Sequence, residues 1–298
     1  MRALGFVFFV LAAHLSATMV SAQTPIGADT SKADKKATPK WKTYCDLSAR
    51  LYSVGIQGQP NLKVVRSDEP IFVHTIQIGI DGKGIVYLWT TEKGRPVAVI
   101  TSMLHQERGS ATWDEGNELH SLYESPIFAQ RKGQKIWQPR QGIRWHELED
   151  APKPSTSKSG QLLQAKSLAR KFKAKAVYRR ADGKEWKLRL LPTPVHQYAD
   201  AGKKGEFSGF LFVFCRSNDP ELFLQLEVKK DEDGKARWTC ACASFTDAGV
   251  TLELNNAEFW SEDPPIFSSR YVHWGFAANQ TFDLDNALRQ LQTEIAAD

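Results

Sequence analysis

The sequence predicts an α+β protein made mainly of antiparallel sheet, arranged as two related β-meander units with a few flanking helices. Three observations predict it. Aromatic and branched apolar runs bounded by Gly, Pro, Asp and Asn recur at 85–89, 97–100, 210–214 and 222–228, as strands require. Two stretches spell nearly the same hairpin, GIVYLWTTEKGRPVAVITSM at 84–103 and GFLFVFCRSNDPELFLQLEV at 209–228. Helical spacing of apolar residues is confined to a few short segments.

In chain order, residues 1–22 read MRALGFVFFVLAAHLSATMVSA: a positive Arg2, an apolar run from Ala3 to Ala13, and small residues ahead of Gln23. That is the order of a cleaved secretory signal, and His14 interrupts the run well short of the roughly 20 apolar residues of a spanning helix. The expectation is a secreted or periplasmic protein with no transmembrane segment after signal removal. Residues 23–40 hold almost no large apolar side chain and read as a disordered tether, because such a stretch cannot offset the entropy of ordering.

A first β-rich unit follows at 41–150, opened by the segment from Trp41 to Tyr52. The Pro/Ser linker APKPSTSKSG at 151–160 leads to a second helix-plus-β unit at 161–298. Its helix lies in QLLQAKSLARKFKAKA, where Leu162, Ala165, Leu168, Ala169 and Phe172 recur at helical spacing between Lys and Arg. Asp182-Gly183 and Asp233-Gly234 each stand between strand-like runs and read as hairpin turns. At 222–228, Leu222, Leu224, Leu226 and Val228 alternate with Phe223, Gln225 and Glu227, the period of a strand with one wetter face. The terminal TFDLDNALRQLQTEIAA reads as a helix capped by Asp283 or Asp285, with Leu288, Leu291 and Ile295 as its buried stripe.

The two halves can be laid over one another. Gly84 falls on Gly209, Tyr87 on Phe212, Trp89 on Phe214, Val97 on Leu222 and Val99 on Leu224. Further on, Ser121 meets Ser244, Glu124 meets Asp247, and the pair Ile127 and Trp137 meets Val250 and Trp260 at equal spacing. Self-similarity of this kind predicts an internal repeat of one supersecondary unit. His74 and His196, each following a valine and ahead of the repeated glycine, read as matched scaffold positions.

The stretch LRLLPTPVHQY, then GFLFVFCRSNDPELFLQLEV, then ARWTCACASF and the later EFW resemble a family of secreted bacterial proteins with no assigned activity. The resemblance covers most of the chain beyond the signal, with LRLLPxP and NDPELxL its most specific segments. It implies an exported protein and transfers no catalytic residue. Cysteines at 215, 240 and 242 depart from the small or apolar residues the pattern leads one to expect there.

Motifs for chemistry are scarce. There is no GxSxG, GxGxxG or Walker sequence, His146-Glu147 lacks a second His four residues after the first, and Cys242 stands where a calcium loop begun at Asp231 needs a Glu. Ser155 to Lys158 has SxxK spacing but sits in the linker. Export permits disulfides among Cys45, Cys215, Cys240 and Cys242. Cys240 and Cys242, two apart on a strand, are too distant for an unstrained mutual bridge and read as small core residues, while a pair involving Cys45 stays open. No cofactor or metal is expected.

Two candidate sites remain. In WDEGNELHSLYES, Glu118, His120 and Glu124 would project from one strand face, and two of the three meet alanine in the other half, at Ala241 and Ala243. A carboxylate beside an imidazole can tune a general base, so a hydrolase or metal-dependent enzyme is one reading. The other rests on charge. The chain carries a formal net charge of +5, yet residues 152–190 hold twelve Lys or Arg against Asp182 and Glu185, a net of +10. Lys166, Arg170, Lys171, Lys173, Lys175, Arg179 and Arg180 are then a contact surface for an anionic glycan, a cell-envelope surface or an acidic protein. Export removes nucleic acid from the set of partners. The leading expectation is a non-enzymatic binding or scaffold protein. Trp89, Trp137 and Trp260 read as core, and Trp41, Trp113, Trp145 and Trp274 as candidates for sugar stacking.

Overall fold

The computed structural model describes residues 38–76, 80–107, 109–178, 183–199, 207–230, 233–264 and 273–296. The segment read as a signal, the segment read as a tether as far as residue 37, Arg179, Arg180 and Asp182 lie outside the described residues, as does the side chain of Trp274. The first half runs α1 (Lys40–Arg50), β1 (Tyr52–Ile56), β2 (Val64–Arg66), β3 (Phe72–Ile76), β4 (Ile80–Thr91), β5 (Pro96–Glu107), β6 (Trp113–Ser121), β7 (Ile127–Arg131), β8 (Gln134–Trp137) and β9 (Trp145–Glu147). The second runs α2 (Lys158–Ala169), β10 (Phe172–Val177), β11 (Glu185–Leu190), β12 (His196–Ala199), β13 (Phe207–Arg216), β14 (Asp219–Lys230) and β15 (Ala236–Ser244). It closes with β16 (Gly249–Leu254), β17 (Ala257–Glu262), β18 (His273–Phe282) and α3 (Leu284–Ala296). Strand pairing is antiparallel throughout the described residues.

A six-stranded sheet has the order β18-β6-β5-β4-β2, with β3 also on β4, and a nine-stranded sheet the order β17-β16-β10-β11-β13-β14-β15-β9, with β12 on β13. A small sheet pairs β1, β7 and β8. The long hairpin at the centre of each large sheet is the one spelled twice. β9 from the first half pairs with β15, and β18 from the second half pairs with β6. Each half therefore supplies an edge strand to the other's sheet across the 151–160 segment.

Alternation on these strands decides the layers. One face of the β4 and β5 hairpin packs Tyr87, Trp89 and Ile100 with Tyr44, Cys45 and Ala49 of α1. One face of the β13 and β14 hairpin packs Phe212, Phe214, Leu222 and Leu224 with Ala165, Leu168 and Ala169 of α2. Between the sheets a third core joins Val86, Leu88 and Val99 to Leu211, Val213, Phe223 and Ala241. The wetter face read from 222–228 is thus buried too: Phe223 lies in the inter-sheet core, Gln225 donates to the Leu122 carbonyl at 2.9 Å, and Glu227 is 0 % exposed.

The C-terminal helix is capped as expected, with Asp283 accepting from the Asn286 amide at 2.9 Å, while Asp285 pairs with Lys40. Helical spacing misplaced Phe172, which opens β10. After the α2 turn ends, Phe172, Ala174 and Ala176 alternate with Lys173 and Lys175, and a burial period of two overrides the 3.6 pattern. The second hairpin turn is one residue shorter than the first. Ala98 and Ile100, rather than Val97 and Val99, stand at the positions of Leu222 and Leu224. Both hairpins carry a register break at the same place, between Trp89 and Thr90 and between Phe214 and Cys215, opposite Pro96 and Pro220.

The glycines that begin the repeated hairpins have one purpose. Tyr198 of β12 stands opposite Gly209, and His74 of β3 opposite Gly84, each ring lying flat across the bare backbone. The counterpart of His74 is therefore Tyr198 and not His196, which sits two residues earlier and bonds the Gly94 carbonyl at 2.8 Å. A side chain at Gly209 would overlap the Tyr198 ring. Gly209→Val is expected to cost about 1–3 kcal/mol by overpacking, read as a fall in urea midpoint at unchanged slope.

The four cysteines are free and buried, and they are divided among all three cores. Burial raises the thiols of Cys45, Cys215 and Cys240 to about 12, so they act as small apolar side chains.

Candidate functional site between the sheets

The six-stranded sheet turns Glu118 and His120 of β6 inward, onto the nine-stranded sheet. Sequence reasoning placed Glu124 with them, but β6 ends at Ser121 and the chain carries Glu124 to another end of the interface. There Arg95 donates to Glu124 at 2.6 Å and to both Glu227 oxygens at 3.2 Å, with its guanidinium between the rings of Tyr123 and Trp145. Tyr198 donates to Glu227 at 2.9 Å, and the Trp145 indole donates to Glu124. Burial opposes the charge on Arg95, and the two carboxylates more than offset it and hold the guanidinium protonated.

His120 is 0 % exposed, with its ring centroid 3.9 Å from that of Phe245. The imidazole of the Glu118 and His120 pair thus lies in the inter-sheet layer, packed on a benzyl ring. Glu118 is half-buried and faces a different set of groups. Burial first, and then the charges of Asp219 and Glu221 of β14 and of Asp247 beyond β15, push its carboxyl well above the usual range. Burial raises Glu221 to about 7, and Asp219 to about 6 with Asp247 adding to the effect. Tyr178 donates a short hydrogen bond to Glu221. Arg216 opposes the rise at Asp219 and Glu221, but its guanidinium is stacked on Tyr178 and Trp186.

His74 completes this group. It is 1 % exposed, its Nδ1 lies 3.2 Å from Asp219, and neither ring nitrogen has a hydrogen-bond partner among the described residues. Burial, then the charge of nearby His105, lowers it to about 4, so the ring is neutral. Sequence reasoning missed Asp219 and Glu221 because they read as the polar turn of a hairpin. The signal was the missing cation: Arg95 precedes Pro96 in one hairpin, and Asp219 precedes Pro220 in the other.

The basic segment is divided by the sheet. Lys166, Arg170 and Lys171 lie on α2 and just past its end, on the side where Ala165, Leu168 and Ala169 pack. Lys171 lines a shallow cavity of about 190 Å³ with Glu147, Glu149 and Asp150, so acidic neighbours surround it. Lys173 and Lys175 point to the opposite face of the sheet. Lys187 stands beside Lys175 in register, and Arg189 follows it on β11. Lys175 lies 3.4 Å from Glu185 and 3.6 Å from Glu253, while Lys173 donates to Asn256 at 2.7 Å. Trp41 and Trp113 flank Lys83, and Trp145 lies between Arg95 and Lys229, so these half-buried rings are already occupied by cations. Among the described residues no His, Cys, Asp and Glu are gathered closely enough to hold a metal ion.

No protein family and no curated protein matches the chain. Among solved structures it is similar, at 7 % identity and a TM-score of 0.18, to the GH36 α-galactosidase AgaA from Geobacillus stearothermophilus over 71 % of this chain and 29 % of that one. The α-galactosidase from Lactobacillus brevis has the same identity and TM-score, over 71 % of this chain and 28 % of that one. The chain thus spans less than a third of the length of these enzymes, and a likeness this slight says nothing of its function.

Proposed function

We propose that the protein is a non-enzymatic binding module, exported by the segment at 1–22, that holds an anionic polysaccharide on the outward face of β10 and β11. One observation carries this. Lys173, Lys175, Lys187 and Arg189 alternate onto one strand face while Phe172, Ala174, Ala176 and Leu188 are buried on the other. Strand geometry spaces such cations about 7 Å apart along the chain and about 5 Å across it, a rigid grid suited to a repeating anion. Glu185 and Glu253 neutralise it only in part. No described helix is long and apolar enough to cross a membrane.

We also read the halves as two copies of one β-unit. The shared register break, the proline that follows it, the ring laid on the first glycine and the reciprocal edge strands support that reading. A duplicated scaffold with unlike surfaces is a natural way to build a binding protein, since one copy can diverge while the other keeps the core.

The test is affinity for a sulfated polysaccharide at low and high salt. The Lys173→Glu, Lys187→Glu variant is expected to bind at least about tenfold more weakly, and native binding to fade as salt shortens the screening length towards roughly 3 Å. Lys166→Glu with Arg170→Glu should change little. Equal binding by the strand-face variant would overturn the proposal, and retention by acidic proteins alone would replace the polysaccharide with a protein partner.

A further inference from the structure

The outward face of β10 and β11 continues across β16 and β17, and its charges are sorted by strand. In register from β11 to β17 stand Lys187, Lys175, Thr251 and Ser261. In the next register stand Lys173, Glu253 and Glu258, with Arg189 on the same face of β11 as Lys187. Two strands thus offer four cations, and the two beside them offer hydroxyls and carboxylates. Glu258 reaches this face through an irregularity. Counted by twos from Trp260, which packs on the core, Glu258 would point inward, but the register break between Leu252 and Glu253 leaves Phe259 as the extra residue and sets Glu258 opposite Glu253. Phe259 then joins Trp260 against the core, beside Phe172. Folding alone gives no reason for this pattern. Like charges directly opposite one another destabilise a sheet, yet Lys175 stands opposite Lys187 and Glu253 opposite Glu258. Among the described residues Glu253 has Lys175 at 3.6 Å and Glu258 accepts from Ser261 at 3.0 Å, where a carboxylate can take about four donors. Lys173 and Arg189 bond neutral acceptors, Asn256 and the Ser217 carbonyl. Lys173, Lys187, Arg189, Glu258 and Ser261 are exposed.

We propose that this four-stranded face seats a zwitterionic polysaccharide, one that carries free amino groups beside its acidic groups, with the anions on Lys173, Lys175, Lys187 and Arg189 and the ammonium groups on Glu253 and Glu258. This assignment rests on the reading of β10 and β11 as a polysaccharide surface, whose ligand it narrows. Strands about 5 Å apart set the middle of the cationic pair and the middle of the acidic pair roughly 10 Å from one another, so nearby sugar units can meet both. Thr251 and Ser261 add hydroxyls suited to the sugar's own. A polymer with anions alone gains from β10 and β11 but is repelled by the carboxylates of β16 and β17, whereas one with both signs is held by all four strands.

The test compares two forms of one polymer on the full-length protein at neutral pH and low salt: N-desulfated heparin, which bears free amino groups, and the same material after N-acetylation. The acetylated form is the more negative, so a purely cationic surface would prefer it. The free-amino form is expected to bind at least about tenfold more tightly, and Glu253→Gln with Glu258→Gln to reverse that order. Because the two polymers are compared on the native protein, the test stands even if the variant fails to fold. Equal affinity, or a native preference for the acetylated form, would overturn the zwitterion and leave an anionic polysaccharide on the face. Absence of binding to both forms would overturn that reading as well. A preference for the free-amino form that survives the double substitution would overturn the assignment to Glu253 and Glu258.

Discussion

Arg95→Met is expected to destabilise the protein by about 3–5 kcal/mol, lowering the midpoint of thermal unfolding by roughly 10 °C. The guanidinium is a link between the two halves: it leaves the β4–β5 turn, crosses to β14 and meets Glu227, which is 0 % exposed. Removing it leaves that buried carboxylate with the Tyr198 hydroxyl and, at 3.5 Å, the half-buried Lys229 ammonium, having lost its two-pronged partner, and the cost of an under-compensated buried charge exceeds the cost of never having had the pair. Arg95→Met combined with Glu227→Gln should therefore recover most of the loss. Paired unfolding curves would decide this. A single-variant loss below about 1 kcal/mol would mean that the cluster is surface decoration and that the apolar inter-sheet core alone joins the halves.

The second large effect is with pH. Glu221 is 3 % exposed and its carboxyl, ordinarily near 4.5, is raised to about 7 by burial. Because the folded state holds the proton more tightly than the unfolded chain does, its contribution to stability is complete below about 4.5 and is lost as pH climbs through 7. That loss amounts to roughly 3 kcal/mol for Glu221 by itself. Glu262, also raised to about 7, adds to it, and Asp219, raised to about 6, has completed most of its change by neutrality. His74 works in the opposite direction: lowered to about 4 from 6.5, it stabilises above 6.5 and loses that contribution as pH falls towards 4. His105 and His196 are lowered in the same sense. The carboxyl contributions fall between about pH 4.5 and 7 and level off above it, while the histidine contribution is complete by about 6.5, so the stability maximum is expected on the weakly acidic side of neutrality, with the net fall between about pH 6 and 7.5. Glu221→Gln, which keeps the shape and removes the titration, should be the more stable protein at pH 8.5 and show a flatter profile. A native profile that is flat or rising over this range would exclude the buried, protonated carboxyl.

Much of this architecture was legible in local sequence. Strand alternation, hairpin turns and helix caps follow from side-chain size, branching and backbone freedom within a few residues, which is why the antiparallel class, the long hairpins and the C-terminal helix could be read directly, with its cap narrowed to Asp283 or Asp285, of which the structure uses Asp283. The correspondence of 84–103 with 209–228 was legible for the same reason, down to the glycine that begins each hairpin. Phe172 failed because a run as short as KFKAKA fits either period until its neighbours choose.

What tertiary structure alone decided is who faces whom. Whether the face of Gln225 and Glu227 meets water or another sheet depends on a partner more than a hundred residues away, and no local pattern encodes it. The same holds for Glu118: its strand face was readable, but the charges that act on it, Asp219, Glu221 and Asp247, belong to the other half of the chain. Sequence determined the strands, the two similar hairpins and the asymmetry of charge between the halves. Folding the halves against each other, and exchanging β9 and β18, determined that this asymmetry falls in one buried seam, since a charge acts on whatever distance and burial bring near it rather than on its neighbours along the chain.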